Sequence, residues 1–135
     1  MRSLALLPPL CLLSLTLAAC SAGAPAPAPP AAPTGAARIA AECALLTQAG
    51  TMMAAAGSPA HDGLLEGCPG STARDTRPLA RQTASLREGG QAALPPGVAQ
   101  GSRGEAVFRR MITRGVPVSL AIRLTADPLF AEAAR

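Results

Sequence analysis

Residues 21–35 contain six Ala, five Pro and no charged side chain. Such a stretch has too little apolar bulk to offset the entropy of ordering it, and each Pro removes a backbone donor that a helix or sheet would need. Whatever core the chain builds must therefore come from residues 36–135, enough for one small domain. The stretch itself is predicted to be a disordered spacer. Pro-rich chain favours the extended polyproline conformation at about 3.1 Å per residue, which gives these residues a reach of roughly 45 Å.

The core available to residues 36–135 is unusual. There is no Trp and no Tyr, the two Phe are Phe108 and Phe130, and much of the 49% apolar content is Ala. All twelve basic residues are Arg, which reads as codon bias rather than as a binding signature. The apolar pattern is helical. Ile39, Cys43, Leu46, Gly50 and Met53 recur at spacings of four and three, predicting a helix over 38–56 that Gly57-Ser58-Pro59 stops. Residues 57–72, with four Gly and two Pro, read as a loop pinned by Leu64 and Leu65 near Cys68. A second helix is expected over 77–88. Thr76 or Asp75 would cap it, Pro78 would sit in its first turn, Leu79, Thr83 and Leu86 would form a thin apolar stripe, and Gly89-Gly90 would end it.

The strongest local signal follows. Ser102-Arg103-Gly104-Glu105 has the form of a capping box. Val107, Phe108, Met111 and Ile112 give the next helix an apolar face, and Gly115 suits the position after its last turn. Pro117 restarts a short helix through Leu124, and Asp127-Pro128 reads as the cap and first turn of a last helix over 128–134. No convincing alternating strand pattern and no internal repeat is present. The expected fold is all-α, a small bundle of four or five short helices. Segment 105–135 holds both Phe and eight of the seventeen Val, Ile and Leu of residues 36–135, and is the expected core.

The start of the chain carries an address. Met1 and Arg2 give a positive end, Leu4 to Leu17 is largely apolar but interrupted by Pro8 and Pro9, and small residues Ala18 and Ala19 follow. This is the layout of a signal peptide over 1–19. It is shorter than the ~20 apolar residues a permanent span requires. Leu17-Ala18-Ala19-Cys20 resembles the lipobox of bacterial lipoproteins. The resemblance covers only the first twenty residues or so. It implies lipid attachment at Cys20, cleavage just before it, and a bilayer as the immediate partner. By the same resemblance, Ser21 rather than Asp implies export to the outer membrane, facing the periplasm. Several acyl chains on one residue make an anchor that a single chain does not.

On that resemblance Cys11 would leave with the leader and Cys20 would be taken by lipid, so Cys43 and Cys68 remain. In an oxidising compartment they are expected to form one disulfide that staples the bundle. Closing a loop of about 25 residues is worth ~3.5 kcal/mol on chain-entropy arithmetic. Cys43, His61, Asp62 and Cys68 can also be drawn as a metal-ligand set, but their spacing fits no common zinc pattern. His61, the sole His, lies in a Gly-rich run and is expected to be an exposed loop residue.

No cofactor pattern is found: there is no G-x-S-x-G elbow, and "GCPGST" lacks the Lys of a phosphate loop. Without its leader the chain has eleven Arg against eight acids, a net charge of +3. Arg103, Arg110 and Arg114 share one side of the capped helix. They form either a strip for an anionic partner or an ordinary solvated face, and Glu105 stands at i,i+4 to Arg109. Nucleic-acid binding is disfavoured by the compartment and by the lack of stacking aromatics. The expectation is a non-catalytic envelope lipoprotein acting on a protein partner. The alternatives are a small periplasmic hydrolase using carboxylates or His61, and a membrane-perturbing peptide.

Overall fold

The computed structural model describes residues 31–58 and 61–135. The expected leader, Cys20 and residues 21–30 of the expected spacer lie outside them. Among the described residues the fold is all-helical, without a strand: α1 (Gly35–Ala55), a short 3₁₀ turn (Asp62–Leu65), α2 (Leu79–Gln91), α3 (Arg103–Thr113), α4 (Val118–Leu124) and α5 (Pro128–Ala134). The disulfide staple is present. Cys43 and Cys68 are bonded, with their Cα atoms 5.8 Å apart, inside the usual range for such a bond.

Helix α1 begins three residues before the predicted start at 38, because Thr34 caps it by accepting a hydrogen bond from the Ala37 N–H (3.2 Å). It ends in a six-to-one turn. Gly57, at φ 75°, lets the Ser58 N–H donate to the Met53 carbonyl (2.9 Å). The same turn closes α3. Gly115, at φ 89°, brings the Val116 N–H to the Met111 carbonyl (3.0 Å), and the Val116 side chain is buried in the core.

The core takes in the predicted α3 face and the C-terminal helices, and α1 contributes to it as well. Val107, Phe108, Met111 and Ile112 of α3 pack with Leu45, Leu46 and Ala49 of α1, Ala121 and Leu124 of α4, and Phe130 and Ala133 of α5. Phe108 and Leu45 have no exposed surface. The buried face of α1 is displaced from the predicted stripe. Leu45 and Ala49 join Leu46, Gly50 and Met53 inside, whereas Ile39 is exposed. The α5 start also follows expectation: the Asp127 carboxylate accepts from the Leu129 N–H (2.9 Å), with Pro128 in the first turn.

Helix α2 departs from its sequence reading. Neither Thr76 nor Asp75 caps it; Pro78 occupies that position with no side-chain capping bond. Gly89-Gly90 does not end it, because Gly89 is the contact face. A Cβ at Gly89 would lie 2.8 Å from Thr113 Cγ2 and 3.2 Å from the Arg109 carbonyl, so only a bare backbone approaches α3 this closely. The Leu79–Leu86 stripe also faces away from the protein: Leu79 is 77% and Leu86 61% exposed.

Candidate functional site

Two side-chain clusters flank the connection between α1 and α2. The first joins that connection to the end of α3. Asp75 accepts from the Arg77 backbone N–H (3.0 Å), and both its oxygens receive the Arg77 guanidinium, the shortest contact being 2.7 Å. The same guanidinium donates to Ser85 Oγ of α2 and to the Thr113 carbonyl of α3, both at 3.0 Å. One Arg thus ties three segments through charge-assisted bonds. Its donation holds the Asp75 carboxyl at a pKa of about 2, below the ordinary 3.8.

His61 sits against this cluster rather than in open solvent, which corrects the sequence expectation. It is half-buried and its ring nitrogens are shielded. A Cβ on Gly115 would come within 2.6 Å of Nε2 and 2.7 Å of an Arg77 nitrogen. The absence of a side chain at residue 115 is therefore what lets the ring and the guanidinium lie over the α3 turn. His61, Arg77, Arg81, Ser85 and Glu88 border an open cleft of about 330 Å³.

The second cluster surrounds the disulfide. Arg110 donates twice to the buried carboxylate of Glu42, at 2.7 and 3.0 Å, and Arg114 donates to the Gly63 carbonyl (3.1 Å). Together with Glu66, Cys43 and Cys68 they border a cavity of about 200 Å³. Arg103 is not among its walls; it donates to the Ala133 carbonyl of α5 (2.7 Å). The three arginines grouped by helical spacing thus each have a partner within the protein. The i,i+4 pair forms as expected, with Arg109 donating to Glu105 at 2.6 Å. The box around Ser102 is shifted on one side. Ser102 Oγ accepts from the Glu105 N–H, but Glu105 Oε2 takes the Gly101 N–H rather than that of Ser102. That N–H, followed by Arg109, keeps the Glu105 pKa low. Arg109 also donates to the Gly89 and Gly90 carbonyls, satisfying the end of α2.

A general acid needs a raised pKa, and the shifts of Asp75 and Glu105 run the other way. Glu66 accepts the Asp75 N–H (3.2 Å), and Asp127 accepts from Gln48 as well as capping α5. Cys43 and Cys68 have each other as partners, so the drawn ligand set loses its thiolates. No group of three His, Cys, Asp or Glu among the described residues is placed to hold a metal ion. No described helix is long and apolar enough to cross a membrane.

The structure defines the class as a small, disulfide-bonded, all-helical domain. Compared with protein-family models, curated proteins and solved structures, the chain matches none.

Proposed function

We propose that the chain is a lipid-anchored protein of the bacterial envelope, held on the periplasmic face of the outer membrane through Cys20, and that it acts by contact with an envelope partner rather than by catalysis. The observation that carries this reading is the order of features at the start of the chain. A positive end, a short apolar run, Leu17-Ala18-Ala19-Cys20 and an uncharged Ala/Pro spacer occur in the sequence that lipidation and tethering require. The Cys43–Cys68 bond supports it independently, since such bonds persist in oxidising compartments. The contact role draws support from acids and arginines engaged with one another instead of converging on a reacting atom.

Mass spectrometry of the protein taken from membranes tests the proposal. The expected species begins at Cys20 and carries acyl chains, and Cys20→Ser abolishes both the cleavage and the acyl mass. An intact leader, or a mature chain starting at an unmodified Cys20, overturns it. Affinity capture from detergent extracts, compared with the Cys20→Ser chain, reads whether partners depend on the anchor.

A further inference from the structure

An apolar recess of about 300 Å³ lies where the end of α1 meets the start of α4. Met52, Met53, Ala56, Pro117 and Leu120 form its apolar walls, and the hydroxyls of Ser58 and Ser119 and the guanidinium of Arg123 stand among them. Met53 is buried and continues into the core, whereas Met52 and Leu120 are half-open. Unbranched, polarizable Met side chains adapt to a flexible apolar guest.

Arg123 differs from the arginines described above. Arg77, Arg103, Arg109, Arg110 and Arg114 each donate to an acid or a carbonyl of the protein. The Arg123 guanidinium is exposed and has no ion pair or hydrogen bond with another described residue. Asp127, which borders a neighbouring recess with Arg123, has its oxygens occupied by Gln48 and the Leu129 N–H.

A mostly apolar recess with one uncommitted cation selects a ligand with an aliphatic body and a single anionic head. At roughly 30 Å³ per small group, the volume holds about ten such groups. That suits one medium-length chain and is too small for a two-chain phospholipid. The geometry points to a binding site for a single-chain aliphatic carboxylate, its tail against Met52, Met53 and Leu120 and its head on Arg123. This deepens the contact role proposed above but does not depend on lipid at Cys20.

The test is photolabelling of the full-length protein, reconstituted in phosphatidylcholine nanodiscs, with decanoate bearing a terminal diazirine. Labelled residues are mapped by peptide mass spectrometry. Label is expected on Met52, Met53 and Leu120, displaced by excess decanoate. It falls about fivefold with Arg123→Gln, recovers with Arg123→Lys, and is weak for the uncharged methyl ester of the probe. Equal labelling by acid and ester, indifference to Arg123→Gln, label scattered along the chain, or stronger labelling of the recess by a diazirine phospholipid overturns the proposal. The N-terminal peptide mass from the same sample reports lipidation separately, so either idea can fail alone.

Discussion

Helices α1 and α2 are both Ala-containing segments with a Pro at or just before the N-cap, yet they are held in opposite ways. Helix α1 presents Leu45, Leu46, Ala49 and Met53 to the core and packs along α5. Helix α2 buries only Gly89, packs chiefly on α3, and turns Leu79 and Leu86 outward. What fixes α2 is a different kind of interaction, the Arg77 guanidinium and Arg109 on its last carbonyls, while the connection before it is held by the Cys43–Cys68 bond and by Leu64, which is buried in the core. Apolar burial is non-directional and tolerates small rearrangements, whereas these bonds depend on geometry and charge. The comparison implies two tiers of stability, a packed bundle of α1, α3, α4 and α5 and a strap fastened to it by polar and covalent ties.

The largest expected effect breaks the first tier. Phe108→Ala leaves a cavity at the centre of the bundle and is expected to cost ~3–5 kcal/mol, read as a lower denaturant midpoint. If it costs no more than a surface change, the bundle is not where stability resides. Next comes the staple. Reduction, or Cys43→Ala with Cys68→Ala, is expected to cost up to ~3.5 kcal/mol overall. Hydrogen exchange is expected to rise first across residues 61–91 and only later in α3. Uniform loss of protection would erase the distinction between tiers.

Two close approaches sharpen the comparison. Gly115→Ala combines a left-handed backbone with a Cβ driven into His61 and Arg77, and is expected to cost on the order of 2 kcal/mol in a thermal melt. Gly89→Ala meets Thr113 Cγ2, and any cost is expected to appear as weaker protection in α2 with α1 unchanged.

The clasp predicts a pH dependence. The Asp75 pKa is lower in the folded chain than in the unfolded one, so its contribution is complete above the ordinary carboxylate value of 3.8. It is lost as pH falls toward about 2. Glu105 shifts in the same direction. Asp75→Asn is expected to cost on the order of 1 kcal/mol near neutrality, after solvent screening, and to flatten the acid limb of the stability curve. An unchanged acid limb would remove Asp75 from that role. The smallest effect is expected outside: Leu79→Ser with Leu86→Ser should change stability by less than about 0.5 kcal/mol, because neither side chain is packed. A larger loss would mean that α2 is covered.

Several local signals were legible, although the Thr76 or Asp75 cap and the Gly89-Gly90 stop of α2 were not among them. Ser102 with Glu105, Asp127 with Pro128, and Gly115 after α3 are encoded within a turn or less, and the helix starts and stops they mark are found. The face of α3 was legible because four large side chains repeat on it. The face of α2 was not. Leu79, Thr83 and Leu86 satisfy a helical period, but the residue α3 accepts is Gly89, and a glycine carries no weight in an apolar pattern. Likewise Asp75 looked like a cap because Asp favours that position, until Arg77 offered a stronger, charged partner. The recess beside Arg123 had no sequence signature, since Met52 and Leu120 are far apart in the chain.

By itself the sequence determined that residues 36–135 would be helical, that helices would start and stop near particular caps and glycines, and that Cys43 and Cys68 were available to each other. These outcomes depend on interactions spanning a few residues, or on counting thiols. Only the tertiary structure decided which arginines reach acids and carbonyls distant in the chain, which helix keeps its leucines outside, and which cation is left beside an apolar recess. Those choices depend on how closely backbones approach, and contact between segments distant in the chain leaves no periodic trace in the order of residues.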